Sequence, residues 1–576
     1  MNSVVLALAG FIFFFLGYRF YSTFIANRIF GLYEFSGPTP AEELEDGIDF
    51  FPTNKYVLFG HHFTSISGAA PIIGPCIAVY WGWLPALLWI ILGTIFMGAV
   101  HDFGALVTSV REKGRSIADI TGNVINSRTR VMFLIFVLLL TWLILAVFAM
   151  AIAGLFVAVP TTILPINIEI IIAIFIGWHL YKRKVGALLP SLIALGILYI
   201  FVYLGTKFPL SFGSFGLDTT QQNNLWIILL FIYSAIASLL PVWFLLQPRD
   251  YINSHQLFVG LALLFLGLFV AHPVVDAPAF RPSGEGAPSI FPLLFVTIAC
   301  GAISGFHGLV SSGTTSKQIK HMSDARLIGY GGMLGEGTLA LASTLAAVAG
   351  IALVTNCKLP SVGFVDDLSW AVYYDSWANA TANKAAAFVL GGGALIHALG
   401  IPAEFANTLM AVLVISFAAT TLDTATRIQR FILMELGDAV NISILKDRYM
   451  ATIIAVIPAI VLAMWNIVDP STGASTQAGW VLWPVFGASN QMLAALTLMV
   501  LSLYFWKQKK QVLPLAIPFG FISLATLSSL IIKAVSFMEN NRLLFSIDVI
   551  LIMLILWMLI DGLIILIHDR NNLVEL

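Results

Sequence analysis

The 576-residue chain is 59% hydrophobic and only 10% charged, with a mean hydropathy of +0.93. A soluble domain carries about 25% charged residues, so a water-soluble globule is excluded. The formal net charge of −1 leaves no field to attract nucleic acid or another polyanion.

Apolar runs of about 18 to 28 residues recur along almost the whole chain, each long enough to cross a bilayer core of roughly 30 Å as a helix. A β-barrel would instead show alternating segments of about 10 residues. The expectation is an all-α polytopic membrane protein with the lipid bilayer as its setting. The spans expected in chain order are 3–30, 57–80, 84–110, 131–159, 166–183, 187–204, 224–247, 256–273, 290–313, 326–352, 404–426, 449–466, 480–504, 513–534 and 543–567, fifteen in all. The first run has neither a basic flank nor a small-residue cleavage site and reads as a retained helix. Cys76, Cys300 and Cys357 lie far apart and form neither a metal spacing nor a disulfide framework.

Span 57–80 contains GHHFTSISGAAPIIGP, with His61, His62, Ser65, Ser67 and Gly68, and with Pro71, Gly74 and Pro75 as helix breakers. Non-helical backbone at membrane depth survives only where protein or a water-filled cavity satisfies it. Freed N–H groups favour anions and freed carbonyls favour cations, which is how carriers build a midplane site. His61 and His62 point about 100° apart on one helix, a poor chelating pair, so no metal site is expected. Span 84–110 carries GAVHDFGAL, with His101 and Asp102. PVWFLLQPRDY, 241–251, places Arg249 and Asp250 at an expected inner membrane end, as an interfacial ion pair.

Span 290–313 repeats the broken character in ACGAISGFHGLVSSGTTSK, with four glycines, His307, Ser304, Ser311 and Ser312. It runs opposite to span 57–80, and two interrupted helices of opposed direction point to an inverted repeat with its site between them. Span 326–352 holds Glu336. The stretch 385–399 is too short to cross and reads as a surface or re-entrant helix. FAATTLDTATR, 417–427, puts Thr420, Thr421, Asp423 and Thr424 near the inner end of span 404–426. Intramembrane ionisable groups are costly and face a cavity or one another. The candidate substrate-binding residues are therefore His61, His62, Ser65, Ser67, Gly68, Ser304, His307, Ser311 and Ser312. The candidate coupling residues are Asp102, Glu336, Thr420, Thr421, Asp423 and Thr424. The histidines, His101 included, are proton-relay candidates. No GxSxG, HExxH or phosphate-binding loop occurs, so no enzyme and no cofactor is expected.

Basic residues cluster in the loops 111–130, 181–184, 317–326, 427–448 and 507–510. With fifteen spans all of these fall on one side, the cytoplasm. The N-terminus is then outside and the C-terminus inside. The loop 31–55 is an exception, since it belongs inside yet carries Glu42, Glu43, Glu45, Asp46 and Asp49.

Several stretches resemble the carbon starvation protein A family of inner-membrane transporters: GHHFTSISGAAPIIGP, GAVHDF, PVWFLLQPRDY, FPLLFVTIACGAISGFHGLVSSGTTSK, DARLIGYGGMLGE, LDTATRIQRF and LWPVFGASNQMLAA. The resemblance implies uptake of short peptides or of a monocarboxylate such as pyruvate. It also implies the LeuT-like five-plus-five inverted repeat of the amino acid–polyamine–organocation superfamily. Laid on this chain, 57–204 is the first repeat, 205–289 an inserted helix pair and 290–504 the second repeat, with an outer lid near 385–399. Residues 1–56 and 505–576 are peripheral. Sodium-coupled members of that fold imply a cation between Ser65–Ala69 and Thr420, Thr421 and Thr424. Proton coupling through a histidine or carboxylate fits the residues equally, so H+ and Na+ both stand. The expected function is secondary active import by alternating access. The rival is a membrane-embedded nutrient sensor without net flux, which the lack of a sizeable soluble domain disfavours.

Overall fold

The structure is a computed structural model that describes residues 1–183, 186–282, 287–359, 363–382, 386–468 and 475–574. In lipid a helix satisfies its own backbone, and the apolar runs become helices accordingly. Among the described residues eleven helices are long and apolar enough to cross a membrane, and a twelfth span arises if the bent pair Lys55–Ile66 and Ala70–Trp81, at 46°, counts as one. Three further expected spans are helical but fall short of that test. Residues 290–313 are three pieces, Ile290–Thr297, Ala299–Ala302 and Gly305–Gly313. Residues 326–348 begin as a π-helix and are rich in glycine, and Arg448–Met464 has 17 residues. Two short antiparallel hairpins, Thr355–Leu359 with Gly363–Asp367 and Asn466–Val468 with Ser475–Gln477, are the strands among the described residues.

Two boundaries differ from expectation in ways that matter. The inserted pair is Thr219–Leu239 and Leu246–Ala271. Pro241 follows the first helix, and Pro248 sits in the first turn of the second, where its missing N–H costs nothing. Arg249 and Asp250 therefore open a helix and form the expected ion pair at 3.1 Å, but at 2% and 0% exposed the pair is buried within the protein rather than on its surface. The helix expected at 404–426 runs Ala403–Val440, 38 residues or about 57 Å, and stops where Asn441 turns left-handed. The Ala386–His397 helix packs against it and against Gly332–Val348. Gly391 and Gly393 allow that approach, since a Cβ on either would strike Ala346 O or Asn407 Oδ1.

One end of the bundle is covered by the segment after the first hairpin. Arg281 lies 4.3 Å over the Tyr80 ring and donates to Tyr374 O at 2.6 Å. The Trp81 and Trp377 rings lie 4.9 Å apart, tilted by 43°, and Tyr374 Oη donates to Cys76 O at 2.6 Å. At the other end the acidic loop 31–55 meets the basic segments. Glu43 pairs with Lys113 at 3.3 Å, Glu34 with Lys510 at 3.1 Å, and Asp49 with Arg427 and Arg430. Thr53 N donates to Gln318 O at 3.0 Å. The loop thus lies against four of the five basic clusters and forms ion pairs with three of them. In the fifth, 181–184, Lys184 lies outside the described residues.

Asp49 is the tightest of these ties. Burial alone would raise its carboxyl, but Arg427, Arg430 and Lys317 more than offset that and hold it below its ordinary value. Its contribution is therefore complete above the ordinary carboxylate range and is lost only as pH falls through the lower, folded value. Asp49→Ala leaves two buried guanidinium groups unpaired and should cost about 3 kcal/mol or more. The check is thermal unfolding in detergent: the gap between wild type and variant should stay constant around neutral pH and close only in strong acid.

Candidate functional site

Both interrupted helices break where the sequence places glycine and serine. Lys55–Ile66 ends at Ser67, whose ψ of 55° leaves the helix. Gly68 N donates back to Ile66 O at 2.8 Å. The next helix begins at Ala70 with Pro71 in its first turn. This break leans on the 403–440 helix: Thr421 Oγ1 donates to Ser65 O at 3.2 Å, and the Ser65 and Thr424 hydroxyls are 3.1 Å apart. Gly68 is where the chains come closest, since a Cβ there would lie 2.8 Å from Thr421 Oγ1.

The second break is the extended pair Ile303 and Ser304, φ −161° and −126°. Asn490 answers it from the Ala478–Lys507 helix. Its Oδ1 accepts from Phe306 N at 2.9 Å, and its Nδ2 donates to Ser304 Oγ at 2.9 Å. Gly68, Pro71, Phe148, Ser304, His307 and Thr421 line one pocket between the breaks, of about 10 Å³, the room of roughly one water molecule.

Two buried ionic clusters flank the first broken helix, one for each adjacent histidine. His61 Nδ1 lies 2.5 Å from Asp250 Oδ2. Asp250 Oδ1 accepts from Arg249 at 3.1 Å, Arg249 also pairs with Asp423, and Tyr233 Oη donates to Asp423 at 2.8 Å. On the other side His62 Nδ1 is 2.9 Å from Thr315 Oγ1. Beyond it, His101 Nδ1 and His307 Nδ1 approach the two oxygens of Asp102 at 2.7 and 3.2 Å. His307 Nδ1 is also 3.3 Å from Glu336 Oε2. That contact is an ion-pair distance without hydrogen-bond alignment, because neither Glu336 oxygen has a hydrogen-bond partner.

The expected residues thus separate into places. Gly68, Ser304, His307 and Thr421 share the pocket, with Ser65 and Thr424 behind its wall. Asp102 and Glu336 join His307 from the two helices beside it. The hydroxyls of Ser67 and Ser311 are buried without partners. Ser312 is occupied with Gly308 O and Ile117 N. Thr420 faces away and accepts from Asn253 Nδ2 at 3.1 Å. Asp423 belongs to the Arg249 cluster. Asn490, Glu169, Tyr233 and Asn253 were not among the candidates. The signal for Glu169 was available, as a lone carboxylate in PINIEIIIAIF.

Two broken helices that meet at a small buried pocket, with titratable groups beside it, are the build of a membrane transporter. The chain belongs to the carbon starvation protein family: the family model described as Carbon starvation protein CstA matches residues 2–529. It is 33% identical to "Peptide transporter CstA" of Helicobacter pylori, over 94% of this chain and 84% of that protein. It is 32% identical to "Pyruvate/proton symporter BtsT" of Escherichia coli, over 86% of this chain and 76% of that protein. Among solved structures, a point mutant of the Eremococcus coleocola manganese transporter superposes with a TM-score of 0.50 at 14% identity, covering 92% of this chain and 99% of that one. That likeness concerns the fold alone.

Asn490 gives the sharpest test of the second break. Asn490→Leu keeps the volume but strands Phe306 N and the Ser304 hydroxyl, at a cost of about 1–3 kcal/mol. The variant should unfold earlier in detergent and lose uptake. Unchanged stability would mean that the break is satisfied by some other group.

Proposed function

We propose that this protein is a secondary active transporter that imports short peptides or a small monocarboxylate such as pyruvate across the inner membrane. Uptake is driven by proton entry, through alternating access around the pocket between the two breaks. The observation that carries this reading is His307, which lines the pocket and also reaches Asp102 and Glu336. Two buried carboxylates need a positive partner, and a proton held within this set supplies one. Opening the pocket to either side admits water and lets the proton leave. Peptides and pyruvate share a carboxylate, and the second halves of both broken helices, beginning at Ala70 and Gly305, present their N-termini at the pocket. The names of the two relatives, a peptide transporter and a pyruvate/proton symporter, support both the substrate range and the proton.

In this reading residues 57–204 and 290–504 are inverted repeats, 205–289 an inserted pair, and 1–56 and 505–576 peripheral. The chain crosses fifteen times, with its N-terminus outside and its C-terminus in the cytoplasm. Sodium is a second reading, favoured by the oxygens of Ser65, Thr421 and Thr424 gathered at the first break.

The test is uptake of labelled dipeptide and of pyruvate into proteoliposomes under an imposed pH or sodium gradient. His307→Gln should cut proton-driven accumulation at least about tenfold while exchange without a gradient survives. Proton-driven accumulation equal to wild type in that variant would exclude this set as the coupling site. Sodium dependence that Thr421→Val abolishes would establish the second reading.

A further inference from the structure

The Arg249 cluster is not used by the proposed transport step, and its charges do not balance. Glu169 lies within it, 3% exposed, on the helix Ile163–Arg183. Three carboxylates, Glu169, Asp250 and Asp423, surround one guanidinium, Arg249, and all are buried. Even a protonated His61 leaves one negative charge uncompensated.

The hydrogen bonds show where the shortfall sits. Asp250 faces His61 and Arg249. Asp423 faces Arg249 and Tyr233. Glu169 faces neutral donors: Ser416 Oγ at 3.1 Å and the Asn253 amide. The charged groups whose fields reach it are Arg249 and Asp250. Two fully buried acceptors here lack any donor, Asn253 Oδ1 and Asp423 Oδ1. Arg249 Nε is a buried donor without a partner as well, so what the cluster lacks is positive charge, which a proton supplies without adding volume to a site already filled by its own side chains.

We propose that Glu169 holds a proton in a second site, walled by the inserted helices 219–239 and 246–271 and separate from the Asp102–His307–Glu336 set. The proton comes from bulk water and binds the carboxylate as an O–H, which becomes a donor beside the Asn253 amide. No other bond is made or broken. The inserted pair thereby becomes part of a proton-binding wall as well as packing. This inference stands apart from the transport reading, because the bound proton can be seen without any substrate moving.

The experiment is infrared spectroscopy of the purified full chain at neutral pH, reading the carbonyl band of a protonated carboxylic acid and its shift in D2O. That band should be lost, in whole or in a resolved part, in Glu169→Gln and kept in Glu336→Gln. A spectrum unchanged by Glu169→Gln overturns the site, as does a band removed wholly by Glu336→Gln. Should Glu169→Gln not fold, Asp423→Asn serves instead. It frees Arg249 to face Glu169, so the titration midpoint of the band should fall by about one pH unit or more, and an unmoved midpoint overturns the proposal. If proteoliposomes prove to carry no substrate while the band follows Glu169, the transport reading fails and this one stands.

Discussion

A bilayer core offers no water to rescue a stranded group, so every broken turn and every charge must find its partner in another part of the chain. The architecture follows from that requirement. The first break is held by Thr421 and Thr424, which lie 356 and 359 positions from Ser65 in sequence, and the second by Asn490. Arg249 is enclosed by side chains from the inserted pair and from the 403–440 helix. Each functional feature is therefore also a long-range tie. Removing one partner strands the other in a buried place, where the penalty exceeds what the bond itself contributes.

The consequence is clearest at His61 and His62. Adjacent on one helix, they serve two clusters that share no side chain. The helical turn that makes them a poor chelating pair makes the 55–66 helix a partition, with Asp250 and Arg249 on one side and Thr315, Asp102 and His307 toward the other. Glycines set the spacing: a Cβ at Gly60 would lie 2.8 Å from Ser254 Oγ, and one at Gly332 would lie 2.8 Å from His62 Cδ2.

Much of this was legible in the sequence because lipid turns composition into geometry. Apolar runs located the helices, and GHHFTSISGAAPIIGP and ACGAISGFHGLVSSGTTSK located both breaks to within a few residues. His307, Asp102 and Glu336 stood out singly as ionisable groups inside expected spans, the first as a substrate-binding candidate and the others as coupling candidates, and it is the structure that brings the three together. Local pattern could not show which way a side chain turns late in a long helix, and so Thr420 was grouped with Thr421 although it faces Asn253. Nor could it show that PVWFLLQPRDY opens a buried helix, since arginine beside proline at the end of an apolar run has the composition of a membrane surface. Glu169 is a single letter in an isoleucine-rich run, and its meaning comes from Asn253 and Arg249, roughly 80 residues further on. The acidic loop 31–55 was opaque for the same reason: its partners come from three separate loops and from the 403–440 helix.

The 403–440 helix touches the first break at Thr421 and the acidic loop 31–55 at Arg430 without interruption. Arg430 lies roughly 14 Å along the helix from Thr421, so a tilt of about 5° around the break moves it by roughly 1 Å. Such a shift exceeds the slack of about 0.4 Å in the 3.1 Å contact between Arg430 and Asp49, which loses its hydrogen bond beyond about 3.5 Å. A stiff rod pinned at both ends behaves as a lever. Whatever rearranges at the first break is felt at the acidic loop 31–55, and a clamp applied at that loop restrains the break.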